Sequence, residues 1–213
     1  MREHTGRADM NIKNIMLWFK VSVIGFTGSM LSVTTYADEY FSINDGQLDR
    51  PTDYREWVYV GTPVTPNDMN GGKAAFPEHH NVYIDPKSWN AWKTTGEFRD
   101  GTILVKELLS VGSKSAVSGK GYFQGNFIGL EATIKSKKHL PNEPGNWGYY
   151  SFSSPDHKTL AETAQPFPAA SCNACHASAA ADDFVFTQYY PVLREGKSKG
   201  QSASGGYTNV LSN

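Results

Sequence analysis

Thr102-Ile103-Leu104-Val105-Lys106-Glu107-Leu108-Leu109-Ser110-Val111, then the Gly-, Ser- and Lys-rich stretch Gly112 to Gly121, then Tyr122 to Ile134 (YFQGNFIGLEATI), is the segment that decides the fold. Two long runs rich in β-branched, aromatic and alternating residues, joined by a turn-forming stretch, predict a pair of antiparallel strands. Outward from this pair the same pattern continues between Gly46 and Phe152, with Gly, Pro, Asn or Asp at short intervals. Glu56 to Gly61 (EWVYVG), Asn81 to Ile84 (NVYI) and Trp147 to Phe152 (WGYYSF) supply three further strands. The expected fold class is α+β, mainly β, with a five-stranded antiparallel sheet and a few short helices. Asp85-Pro86 is an N-cap followed by proline, and it opens a helix over Lys87 to Thr94 that carries Trp89 and Trp92 on one face. A second helix is expected from Asp156 to Ala164, and a third from Cys172 into the alanines at 177 to 181.

That third helix carries Cys172-Asn173-Ala174-Cys175-His176, which contains the only two cysteines among 213 residues. Two thiols on one helical turn can add to the two vinyl groups of a porphyrin, and the histidine directly after them can take the iron as proximal ligand. The alternatives are a redox dithiol, half of a zinc site or a small-loop disulfide. No second Cys pair or His cluster supports zinc, and no βαβ context supports a thioredoxin-like dithiol. The motif therefore predicts one haem c, held through Cys172 and Cys175 with iron on His176.

The beginning of the chain reads as a secretory signal peptide over residues 1–37. Met10-Asn11-Ile12-Lys13 gives a basic start, Ile15 to Val33 is mostly apolar, and Thr35-Tyr36-Ala37 is a small-x-Ala cleavage site. A retained membrane anchor is the weaker alternative, since Lys20 interrupts the apolar stretch. Residues 38–195 then form the haem domain, and 196–213, rich in Gly, Ser, Lys and Asn from Lys197, form a tail expected to be disordered. The formal charge of the whole chain is −1 and becomes more acidic without residues 1–37, so no attraction to nucleic acid is expected. Periplasmic localisation, with no membrane attachment after processing, follows from the export signal.

Position decides between kinds of haem protein. An ordinary small electron carrier has the attachment motif near its N-terminus and a later methionine as sixth ligand. Here the motif is late, and Met69, the only methionine after residue 37, precedes it in a Pro/Asn/Gly-rich loop. An iron with one open face is expected, and the Gly- and Pro-rich sequence excludes a four-helix cytochrome.

Residue by residue, the chain resembles the cytochromes P-460, periplasmic monohaem proteins that oxidise hydroxylamine. The stretches that carry this resemblance are Tyr54 to Val58 with Val60 to Thr62, Gly96 to Gly112 (GEFRDGTILVKELLSVG), Gly121 to Phe123, Ile128 to Ala132, Asn142 to Trp147 (NEPGNW), and the haem motif with Val185 to Thr187 and Tyr190 to Leu193. The resemblance implies a homodimer, hydroxylamine and nitric oxide as small ligands, and nitrous oxide as product by way of an iron nitrosyl. It also implies transfer of electrons to a soluble acceptor such as a small cytochrome c.

It further implies roles for three side chains. Lys106 would be cross-linked through its nitrogen to the porphyrin. On strand alternation it shares a face with Leu104 and Leu108, and Ile103, Val105 and Leu109 share the other, so an unprotonated, nucleophilic amine is one reading and an edge lysine reaching water is the other. Glu131 would relay protons above the open iron face. Alternation places it with Phe123 and Phe127, with Gly125 and Gly129 between, whereas a solvated strand-end carboxylate is the plainer reading. Phe76 would line the pocket or simply pack in the core. Glu78-His79-His80 departs from the family's pattern, which has an arginine near His80, and a histidine pair outside a ligand framework reads equally as surface polarity. Two functional alternatives stay open. One is a β-sheet cytochrome c prime that binds nitric oxide under an aromatic cap of Phe76, Phe123 and Phe127, and the other is a plain electron-transfer cytochrome c ligated by Met69.

Overall fold

A computed structural model describes residues 40–197. The signal peptide expected over 1–37 and the disordered tail expected beyond Lys197 lie outside the described residues. The centre is a five-stranded antiparallel meander in which each strand pairs with its neighbour in sequence. Its strands are β1 (Val58–Gly61), β2 (His79–Ile84), β3 (Thr102–Val111), β4 (Gln124–Lys135) and β5 (Trp147–Ser151). These are the five expected strands, with no end moved by more than two residues and β3 unchanged. Glu56 leaves the first because Tyr54–Glu56 forms a short 3-10 turn.

Both faces of the sheet are covered, which explains why β3 is apolar on both sides. One face presents Ile103, Val105, Leu130, Ala132 and Ile134 to a core that includes Leu48, Tyr54, Tyr150 and Phe152. The other presents Val82, Ile84, Leu104, Trp147 and Tyr149 to Trp92, Phe98, Val185 and Leu193. Trp92 comes from the helix α1 (Pro86–Thr95), stacks on Phe98 with centroids 4.4 Å apart, and donates from Nε1 to the Leu193 carbonyl at 2.7 Å. Asp85 caps that helix by accepting from Ser88 N at 2.8 Å, as its sequence signature predicts, and also accepts from Ile103 N at 3.1 Å, which ties the helix to β3. Two more helices follow, α2 (Asn173–Ala179) and α3 (Pro191–Gly196). Lys197, expected to begin the tail, instead ion-pairs with Asp182 at 2.5 Å.

The helix expected at Asp156 to Ala164 does not form. Ser154 and Asp156 satisfy this backbone locally through Ser154 Oγ to Asp156 Oδ1 at 2.7 Å and Thr159 N to Ser154 Oγ at 3.0 Å, and His157 takes φ 57°. Leu160 then bridges to Ser153, and Thr163–Ala164 pairs with Gln47–Asp49 in a small second sheet. The other edge of that sheet, Ile43–Asn44, is reached through a tight turn at Asp45 (φ 50°) and Gly46 (φ 77°).

On the first core's side, β3 buries one charge. Glu107 is 3% exposed and accepts from the Tyr54 hydroxyl at 2.8 Å and from Arg55 Nε at 2.6 Å. His79 is 5% exposed on the same side, with Nε2 unpartnered. Burial, and then the nearby His80, push its pKa below the usual histidine value, while a hydrogen bond with the Phe123 backbone opposes them.

Two outcomes follow. Glu107→Ala strands the buried Tyr54 hydroxyl and is expected to cost about 2–3 kcal/mol in urea denaturation of the holoprotein. His79 binds its proton more weakly folded than unfolded, so the stability it contributes is whole above the ordinary histidine pKa of about 6.5 and falls as pH drops below it. Urea midpoints compared across that range should therefore show a shallower acid decline in His79→Leu.

Candidate functional site

Between the Leu104 face of the sheet and the segment from Ser171 to Tyr190 lies a cavity of about 510 Å³. Its walls are mostly apolar, and its size is that of a cofactor site. Six of the residues singled out for chemistry in the sequence, Phe76, Lys106, Glu131, Cys172, Cys175 and His176, line it.

One wall of the cavity is built on α2. Asn173, buried at its start, donates to the Trp147 carbonyl at 2.9 Å and anchors the helix to β5. One turn then sets Cys172, Cys175 and His176 along the cavity, and both thiols are free. Burial pushes the Cys172 thiol up; Glu131 adds to this and Lys106 opposes it. His176 Nδ1 donates to the Phe184 carbonyl at 2.7 Å, which fixes the tautomer and leaves Nε2 as the nitrogen with a lone pair. Burial lowers the pKa of this imidazole and keeps it neutral, as a ligand must be. The ring is held between Tyr149 and Phe186, at centroid separations of 4.3 and 4.6 Å. A pair of thiols, a capped histidine and an apolar chamber are the donor set that a covalently held haem needs, so these residues fit that group.

The Phe184 carbonyl is itself held in place by an irregular loop. Asp183 and Phe184 both lie in the left-handed region, at φ 39° and 63°. Asp183 accepts from Lys135 Nζ at 2.6 Å and from Trp147 Nε1 at 3.2 Å. Phe184's ring seats against Gly145, where any Cβ would come within 2.6 Å of it and where φ is 63°. Only glycine meets both demands. The Tyr149 hydroxyl also donates to the Phe184 carbonyl, at 3.2 Å, and burial raises its pKa so that the phenol keeps its proton. Tyr149, Phe184, Asp183 and Lys135 were not singled out from sequence. The Asn142 to Trp147 segment was quoted only as part of the resemblance, and its purpose becomes visible here.

On the sheet, Lys106 and Glu131 stand directly opposite each other across β3 and β4, and Lys106 Nζ lies 2.6 Å from Glu131 Oε2. Their side chains are 26% and 29% exposed. The amine also lies over the Phe76 ring, 5.6 Å from its centroid. Phe76 is a cavity-wall residue, 58% exposed, and not a core residue. His80 lines the cavity as well, and its Nε2 is 3.2 Å from Glu78 Oε1.

The aromatic setting expected around Glu131 is corrected. A bulge sets Leu108 against Gly129 but Leu109 against Phe127, so the extra residue Ile128 reverses the alternation. Phe127 leaves the Glu131 face, and neither it nor Phe123 lines the cavity. Glu131 has Lys106 for its neighbour instead. Met69 is 72% exposed in the 3-10 turn Asn67–Asn70 and is absent from the cavity wall.

Among the described residues no helix is long and apolar enough to cross a membrane. No curated protein matches the sequence. The family model described as Cytochrome P460 matches residues 51–187, a span that runs from the 3-10 turn before β1 past the loop that caps His176. A late attachment motif facing a five-stranded meander, together with that match, makes the chain a haem cytochrome that belongs to the cytochrome P460 family.

Proposed function

We propose that the protein is a periplasmic hydroxylamine oxidoreductase with nitrous oxide as product. Two hydroxylamine molecules give one nitrous oxide and one water, releasing four protons and four electrons. When bound, the haem supplies the iron that accepts those electrons and passes them to a soluble acceptor such as a small cytochrome c. The observation that carries the reading is the Lys106–Glu131 pair at 2.6 Å on the cavity wall. An amine next to a carboxylate on a mostly apolar cavity wall supports proton uptake from a small substrate there.

The chain's own residues divide the work. Cys172 and Cys175 would hold the haem by thioethers, and His176 would hold its iron from the side that Phe184 braces. Lys106 would carry the further cross-link, in which an N–H and a porphyrin C–H give way to an N–C bond, a two-electron oxidation that needs an oxidant such as oxygen or a peroxide. An amine bonded to a macrocycle no longer carries an ammonium charge, so Glu131 loses its ion-pair partner and becomes available to accept substrate protons. Phe76 and the apolar walls restrict the space to small ligands and limit water. Of the three phenylalanines that a nitric-oxide-trapping cap would use, Phe76 alone lines the cavity, and Met69 is no neighbour of it. Both points favour the oxidase over the two other readings. The basic, then apolar, then small-residue pattern of residues 10–37 supports export, and the family likeness supports a homodimer.

Proteolysis of the holoprotein followed by mass spectrometry is expected to return the Lys106 peptide joined to the haem-bearing Cys172 peptide. Lys106→Ala should keep its haem and lose hydroxylamine-dependent reduction of an electron-accepting dye, and unchanged turnover in that variant rules out the role assigned to Lys106. Glu131→Gln should bind hydroxylamine, seen as a shift in the haem absorption, and turn over about a hundredfold more slowly. A normal rate removes Glu131 from the proton path.

A further inference from the structure

One backbone oxygen on the proximal side serves two donors. His176 Nδ1 reaches the Phe184 carbonyl at 2.7 Å, and the Tyr149 hydroxyl reaches the same atom at 3.2 Å. A carbonyl oxygen has two lone pairs and can accept both bonds, but each bond draws on the charge of the same atom and so weakens the other. The strength of the His176 hydrogen bond in turn sets how much anionic character the imidazole carries toward a metal at Nε2.

The arrangement is too constrained to be an incidental contact. Tyr149 is 8% exposed, and its ring is packed on His176 at 4.3 Å. The carbonyl is restrained from turning toward one donor and away from the other: the N–H of the same peptide, Val185 N, donates to the Asp182 carbonyl at 2.7 Å, and the two residues before that N–H are anchored as well. Lys135 and Trp147 hold the Asp183 carboxylate, and Gly145 seats the Phe184 ring. The two residues that aim the oxygen, Asp183 and Phe184, adopt left-handed conformations that non-glycine residues hold only when their surroundings impose them.

We infer that Tyr149 is a positioning residue for the haem iron, acting through the shared Phe184 carbonyl: by competing with His176 it weakens the Nδ1–H donation, keeps the imidazole closer to neutral, and holds the iron's reduction potential higher than His176 alone would set it. A higher potential favours the uptake of electrons from a substrate such as hydroxylamine. The ring contact with His176 is independent of the hydroxyl, which also hydrogen-bonds with the Thr133 side chain, so the test needs a replacement that keeps the hydroxyl as well as one that removes it.

The inference rests on His176 as the iron ligand and not on the identity of the substrate, and the test separates the two. In the ferrous holoprotein, low-frequency resonance Raman reads the iron–histidine stretch directly, and redox titration reads the midpoint potential. Tyr149→Phe keeps the ring and removes the competing donor. The stretch is expected to move to higher frequency and the midpoint potential to fall. Site-specific replacement of Tyr149 by 3-fluorotyrosine, a stronger donor of nearly the same shape, is expected to move both in the opposite directions. It also tests the inference should the phenylalanine variant fold poorly. If neither replacement changes the stretch, or if both shift it the same way, the role of Tyr149 is overturned. Absence of any iron–histidine mode in the unsubstituted holoprotein would instead overturn ligation by His176, and loss of hydroxylamine turnover with both shifts present would leave the inference standing.

Discussion

The register of β3 against β4 is the constraint on which the site depends. Pairing Lys106 with Glu131 puts an amine and a carboxylate directly opposite each other on adjacent strands, on the face where the cavity lies. A slip of one residue would turn Glu107 toward the cavity and Lys106 into the opposite core. Two features oppose such a slip. Glu107 is engaged on the far face by Tyr54 and Arg55, and the bulge at Ile128 fixes where the alternation breaks. The buried carboxylate behind the sheet thus helps to orient the amine in front of it.

The wall facing this pair is held by tertiary contacts more than by regular structure. α2 is short, from Asn173 to Ala179, and would be marginal alone. It is secured by Asn173 on the Trp147 carbonyl and by His176 on the Phe184 carbonyl. β5 supplies both Trp147, which braces Asp183, and Tyr149, which packs on His176. One edge strand therefore links the helix that bears the thiols to the loop that aims the histidine.

Much of this was legible in the sequence, for identifiable reasons. The five strands were found because apolar alternation and turn residues are local signals, and α1 because Asp85-Pro86 marks its start. The cavity-lining residues Cys172, Cys175 and His176 were legible because they stand together in one short motif. Strict alternation failed at Phe127, since a bulge is a property of two strands at once and Ile128 gives no sign of it alone. The helix expected over Asp156 to Ala164 failed because Ser154 and Asp156 offered the backbone other partners. Asp45-Gly46 was a readable turn signal that was passed over, so the first two short strands were missed. Tyr149 and Phe184 could not be read at all: their hydroxyl and carbonyl meet only after residues 35 apart in the chain are brought together.

The meander has a further consequence for how such a protein comes to hold its cofactor. Every strand pairs with the one made just before it, so the sheet can zip up from contacts that are near in sequence and quick to find. The thiol-bearing turn and the carbonyl-presenting loop come after the fifth strand in chain order. The wall carrying Lys106 and Glu131 thus precedes its facing half in the chain, and its pairing does not depend on the later segment, so the sheet can offer a platform on which the C-terminal half closes.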